Sequence, residues 1–187
     1  MPAAAVAAVA AECQLGRLIK DAWVYEDTPT TNFGDSSDLT AGYAFTGGAD
    51  ELDTYLHFDL SSIPLTATVV SAELYLCLWD THNFYATGYS LEDVDTTWDE
   101  STITWNNAPT STQVCTFDGP AEGFVGWYKI TDPALTALVQ VWVANPAANN
   151  GLAIKPLPDI ASTDQLYLSS REDSSGNAPK LAVRYSP

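Results

Sequence analysis

The sequence holds two histidines, His57 and His82, and three cysteines, Cys13, Cys77 and Cys115, against 24 Asp and Glu residues. Nucleophilic catalysis needs a serine, cysteine or threonine beside a base, and that base is most often histidine. Neither histidine falls in such a pattern. His57 stands between Leu56 and Phe58 on the more polar face of a strand-like run, where it reads as a surface or packing residue. His82 falls in the loop Asp80-Thr81-His82-Asn83. No G-x-S-x-G elbow and no protease-like cysteine signature occurs, so triad chemistry has no support. A glycoside hydrolase needs only two carboxylates. Among 24 acidic residues some pair always exists, and no spacing here selects one. No catalytic residues are expected.

Binding chemistry has better candidates. Tyr75 and Trp79 share the more polar face of one long strand, and the loop that follows adds His82, Asn83, Phe84 and Tyr85. Aromatic rings offer an apolar body, with a polar tip in Tyr and Trp, which suits stacking against the C–H face of a sugar while neighbouring polar groups take the hydroxyls. The carbohydrate-binding candidates are therefore Tyr75, Trp79, His82 and Tyr85. The competing reading is that this second strand face is also core. Oxygen ligands for a structural Ca²⁺ could come from Asp35 and Asp38, or from Asp93, Asp95, Asp99 and Glu100, but no EF-hand spacing occurs and solvated acidic loops account for the same residues. No other cofactor is expected. The cysteines have neither zinc spacing nor a C-x-x-C pair. Cys77 and Cys115 both lie in strand-like runs, so either they form a disulfide outside the cytoplasm, leaving Cys13 over, or all three are reduced thiols.

Charge narrows the partners. Seven Lys and Arg against 24 Asp and Glu give a net charge of −17. Such a field repels phosphate backbones and anionic lipid, which excludes nucleic acid as a partner. No apolar run has the length to span a bilayer, so membrane insertion is not expected.

Two parts divide the chain: an arm over residues 1–20 and a strand-rich body over 21–187. In the body, Thr54, Leu56, Phe58 and Leu60 alternate with Tyr55, His57, Asp59 and Ser61, and Val70, Ala72, Leu74, Leu76 and Leu78 alternate with Ser71, Glu73, Tyr75, Cys77 and Trp79. That period of two is the mark of a half-buried strand. Further strands are predicted at 21–26, 39–46, 86–93, 113–117, 124–129, 151–156, 164–170 and 180–185, bounded by turn clusters such as Gly47-Gly48 and Asn149-Asn150-Gly151. One helix interrupts them. Asp132 can cap it, Pro133 suits its first position, Asn145-Pro146 ends it, and Leu135, Leu138, Val139, Trp142 and Val143 form its apolar stripe. Trp142 is accordingly core. The expected fold is all-β: a jelly-roll-like β-sandwich with one short α-helix and an N-terminal arm.

In the arm, Ala3 to Ala11 favours helix by propensity, although the same segment could add to a neighbour as an edge strand. Its Ala-x-Ala steps resemble the end of a leader peptide, without the basic start. Val6, Val9, Cys13, Leu15 and Leu18 are the candidate assembly residues.

From Asp21-Ala22-Trp23-Val24 onward the body resembles the DNRLRE-domain family, whose members include a family of carbohydrate-binding modules. The resemblance runs through Thr31-Asn32-Phe33-Gly34, the stretch from Tyr55 to Pro64, Trp98-Asp99-Glu100-Ser101-Thr102-Ile103-Thr104-Trp105-Asn106-Asn107-Ala108-Pro109, Asn150-Gly151-Leu152, Ser170-Arg171-Glu172 and Pro179-Lys180-Leu181. It implies a secreted bacterial or archaeal β-sandwich of the kind attached to surface proteins or polysaccharide-acting enzymes. It also implies structural roles: a buried Arg171–Glu172 ion pair, and Trp98 and Trp105 pinning a loop to the sandwich. No catalytic residue is implied. The chain is expected to stand without a catalytic or anchoring domain. The leading expectation is thus a non-catalytic extracellular or cell-surface structural or adhesive subunit, self-assembling into a fibre through its arm. The alternative is a carbohydrate-binding module that recognises a polysaccharide through exposed aromatics.

Overall fold

The computed structural model describes residues 11–45, 49–158 and 163–187, leaving aside the side chains of Phe45 and Ala49. Among these residues ten strands and one α-helix follow in order: β1 (Glu12–Tyr25), β2 (Asp38–Phe45), β3 (Ala49–Asp59), β4 (Thr68–His82), β5 (Gly88–Val94), β6 (Ser111–Asp118), β7 (Gly126–Thr131), α1 (Pro133–Ala144), β8 (Leu152–Pro156), β9 (Gln165–Ser169) and β10 (Lys180–Ser186). Each of the ten predicted strands and the helix is present, with shifted ends.

Every strand pairing is antiparallel. Six strands run in the order β1-β10-β4-β9-β2-β3, and β3 pairs back onto β1, which closes a circuit. Closure leaves those six strands no free edge within the ring. From β3 the sheet continues through β8 and β5 to β6, and β7 pairs with β4. The fold of the described residues is therefore mostly β, barrel-like, with one α-helix.

Inside, Leu56 and Phe58 of β3, Leu74, Leu76 and Leu78 of β4 and Leu168 of β9 are each no more than 1% exposed. Burying side chains of this size contributes roughly 1.5–3 kcal/mol apiece before entropy is charged. Helix α1 lies on the same core through Leu135, Val139, Trp142 and Val143, all buried, with Leu138 partly so. Asp132 caps it, Oδ1 accepting the Ala134 N–H at 2.7 Å, and Pro133 occupies the first turn, where its missing N–H costs nothing.

The structure departs from expectation in three places. Strand β1 begins at Glu12, not Asp21, because Glu12–Gly16 pair with Tyr185–Leu181 of β10 before the strand passes over to β3. Cys13, Leu15 and Leu18 are therefore sheet residues, and Leu18 packs on the core of its own chain. Val6 and Val9 lie outside the described residues. Second, Val70 is 54% exposed and Val69 buried, since the β4–β10 register skips Val70 at a bulge. Third, β3 is buried on both faces. Tyr55 on its supposedly polar face is fully buried among Ala22, Val24, Trp98, Ile103 and Ala153, beneath the loop that carries Trp98 and Trp105. Periodicity reports a strand's two faces but not what a distant loop lays over one of them.

Candidate functional site

The outer face of β4 alternates Glu73, Tyr75, Cys77 and Trp79 against the buried Leu74, Leu76 and Leu78. At its C-terminal end the register with β9 shifts between Leu78 and Asp80, so Trp79 occupies a bulge and is 45% exposed. A bulge re-aims the side chain it carries. Trp79 packs against Tyr167 of β9 with ring centroids 5.1 Å apart, and His82 meets the same Tyr167 edge-on at 5.2 Å. Phe84 lies 6.4 Å from His82. Phe84 and Tyr85 are the most solvent-open rings of the group, at 69% and 59%.

Exposed aromatic side chains on a floppy turn would make a poor binding surface, but this turn is fastened. Asp164 is fully buried, and its carboxylate accepts the Tyr85 N–H at 3.1 and 3.0 Å and the Thr87 N–H at 3.0 Å. Between them Ala86 takes a left-handed φ of 55°, uncommon for a residue with a side chain. The turn's other end is tied by Asn83, whose Nδ2 donates to the Pro120 carbonyl at 2.6 Å and whose N–H donates to Glu122 at 2.5 Å. Asp164 is in turn held by its backbone carbonyl, which accepts the Tyr43 N–H at 2.9 Å beside Gly42. Gly42 has φ +139°, and a Cβ there would overlap the Asp164 carbonyl.

Of the predicted binding residues, Trp79, His82 and Tyr85 come together at this end of β4. Tyr75 does not. It lies four residues back, roughly 13 Å along the strand, between Lys129 and Lys180 of the flanking strands. Its hydroxyl donates to Glu73 at 2.6 Å, which raises its own pKa and lowers that of Glu73. Trp127, opposite Cys77, is 41% exposed, but the Lys180 ammonium sits 4.0 Å from its ring centroid and covers a face. Sequence reasoning missed Tyr167 and Asp164. The alternation of Gln165, Tyr167 and Ser169 with Leu166 and Leu168 could have placed Tyr167 outward; nothing in the sequence marks Asp164.

All three cysteines are free thiols. The Cys77–Cys115 bridge is excluded by facing: Cys77 sits on the outer face of β4, whereas Cys115 is part of the core inside. Burial pushes the Cys115 thiol up to about 11, with Asp132 adding to the effect. His57 is half-buried, and burial followed by the Lys20 charge pushes it down to about 4, so it is neutral at physiological pH.

A second cluster joins β1, the Trp98 loop and the chain after β9. Among the described residues, Asp21, Glu100 and Glu172 bring one carboxylate oxygen each within 4.8 Å of the others. Glu100 is the member shared with the carboxylates considered for Ca²⁺. Arg171 is already among them, 2.7 Å from Glu100 and 2.7 Å from Glu172, with its Nε 3.8 Å from Asp21. The guanidinium thus serves as the internal cation of this site. The Arg171–Glu172 pair exists but is only half-buried. Asp21 is fully buried, and burial, with Glu172 and Glu100 adding and the Arg171 N–H opposing, pushes its carboxyl up to about 7. Trp98 pins the same loop, its indole donating to the Asn150 carbonyl at 3.0 Å.

Among the described residues no helix is long and apolar enough to cross a membrane. Compared with known proteins, the chain matches the family model of carbohydrate-binding module family 96 over residues 16–185. No curated protein matches it.

Proposed function

The chain belongs to carbohydrate-binding module family 96, and on that premise we propose that it is a non-catalytic module that holds a polysaccharide against the aromatic tip of β4, outside the cell. The binding surface is Trp79, His82, Phe84, Tyr85 and Tyr167, with its closed circuit of strands read as a jelly-roll-like sandwich. The observation that carries this reading is the Phe84–Tyr85 turn. A buried carboxylate and a left-handed alanine are spent on fixing the backbone of a turn whose two rings stand in water. A turn whose backbone is already fixed loses less entropy when a sugar stacks on the rings it carries. The net charge of −17 favours a neutral glycan over a polyuronate. The aromatic-face alternative from sequence is therefore preferred to the fibre subunit. Assembly through residues 1–20 draws no support from the described part of the arm, where Cys13, Leu15 and Leu18 lie in a strand paired within the chain.

The test is retention on insoluble cellulose, xylan, mannan, β-glucan and chitin. Wild type is retained on at least one, and the double variant Phe84→Ala/Tyr85→Ala runs through. Equal retention of both proteins rules out this surface, and no retention of wild type on any glycan counts against the function.

A further inference from the structure

The rings gathered at the end of β4 do not lie in one plane. Trp79 meets Tyr167 with 42° between the ring planes, Tyr167 meets His82 at 78°, and His82 meets Phe84 at 42°. Centroids 5.1 and 5.2 Å apart belong to rings packed against one another, offset or edge-on. Rings laid side by side in a plane stand further apart than that. The surface is stepped.

The steps come from the backbone and from mutual packing. Trp79 occupies the bulge where β4 slips against β9, and a bulge adds local twist. Tyr167 comes from β9 itself and touches both Trp79 and His82, so levelling it against one opens its contact with the other. Phe84 and Tyr85 stand past the end of the strand, on the turn whose backbone Asp164 fixes. Polar groups stand among the rings as well. His82 Nε2 lies 3.6 Å from Asp80 Oδ2, and both side chains are partly open to water, within reach of hydroxyls in the plane of a stacked sugar.

Two physical forms of one polysaccharide meet such a surface differently. A crystalline face is flat, so it touches a stepped surface at one ring at a time, and its in-plane hydroxyls are already engaged by neighbouring chains. A single hydrated chain twists from one sugar to the next and brings its hydroxyls free. Successive sugars then stack on differently tilted rings, with His82 and Asp80 beside them to take hydroxyls. We infer that the tip takes single hydrated glycan chains, dissolved or in the amorphous parts of a solid, and not the face of a crystalline polysaccharide. The inference rests on the carbohydrate-binding reading and adds to it the physical form of the substrate.

The experiment measures depletion of the full chain from solution by amorphous and by crystalline preparations of cellulose, chitin and mannan, compared per unit of accessible surface. Affinity electrophoresis in soluble xylan and β-glucan covers glycans without a crystalline partner. Wild type is expected to bind at least one amorphous or soluble glycan. Where a polymer is offered in both forms, it binds the crystalline one roughly tenfold more weakly, and soluble oligosaccharides of the same linkage displace it from the amorphous solid. Retention on a crystalline form that equals or exceeds retention on the amorphous form overturns the inference, as does retention that soluble chains fail to displace. If Phe84→Ala/Tyr85→Ala then releases the protein from the crystal, the tip remains the binding surface and only the form of its substrate was wrong. Binding to none of these glycans removes both readings.

Discussion

Asp164 and Tyr85 lie 79 residues apart, yet both carboxylate oxygens of Asp164 receive the Tyr85 amide proton, at 3.1 and 3.0 Å. The Tyr85 backbone, which carries a side chain 59% exposed, is thereby fixed from below by a group with no exposure at all. A short loop is tied to the sheet through this long-range contact, together with those of Thr87 and Asn83.

Removing that anchor should separate folding from binding. Asp164→Ala leaves the amides of Tyr85 and Thr87 without their acceptor and is expected to cost about 2 kcal/mol of stability. Hydrogen exchange at both amides accelerates, and polysaccharide retention falls although every aromatic ring remains. Unchanged exchange at Tyr85 and Thr87 would contradict the anchoring role. Gly42→Ala, which pushes on the Asp164 carbonyl, should produce the same pattern from the other side.

The exposed rings should behave oppositely. Phe84→Ala and Tyr85→Ala are each expected to change stability by no more than about 0.5 kcal/mol. Each weakens glycan affinity roughly tenfold, or about 1.4 kcal/mol. Tyr75→Ala, with its hydroxyl engaged by Glu73 and its position back along β4, leaves affinity unchanged. Affinity electrophoresis with the retained glycan reads all three. A loss for Tyr75→Ala equal to that for Tyr85→Ala would move the site along the strand.

Stability should fall as pH rises through neutrality. Asp21 is raised from 3.8 to about 7 in the folded chain, so folding favours its protonated form. Its contribution is fully present below about pH 4 and lost as pH climbs through about 7. Asp53, raised to about 8, acts in the same direction slightly higher. Asp21→Asn keeps an acceptor for the Arg171 N–H and cannot ionise. It is expected to raise Tm by several degrees at pH 9, where about 1 kcal/mol corresponds to roughly 2–4 °C, and to change little at pH 4. An equal effect at both pH values would contradict the assignment.

The thiols give an independent check on the sheet. Cys13 is exposed, Cys77 half-buried and Cys115 buried with its pKa pushed up to about 11. A thiol reagent at pH 8 should label Cys13 quickly, Cys77 slowly and Cys115 only after unfolding, with three thiols titrating in denaturant. Finding only one in denaturant without reductant would revive the Cys77–Cys115 bridge.

Much of this was readable beforehand, and the limits have a common cause. The alternation of Leu74, Leu76 and Leu78 with Tyr75, Cys77 and Trp79 is local, and the structure honours it. So does the cap and stripe of α1, because Asp132, Pro133 and Trp142 act within one helix. Contacts between distant segments were not legible. The ends of β1 depend on β10, which lies at the other end of the chain. The burial of Tyr55 depends on the Trp98 loop, and the placing of Trp79 depends on a register slip against β9. Asp164 illustrates the case most sharply, as one acidic residue among 24 with nothing local to mark it.

The most direct measurement of the central claim is NMR mapping of wild type with a soluble oligosaccharide of whichever glycan retains it. The account predicts saturable shifts in the Trp79 indole and in the amides from Phe84 to Thr87, with the outer face around Tyr75 unmoved. A bound oligosaccharide that leaves Trp79 and the Phe84–Thr87 turn unshifted would contradict it.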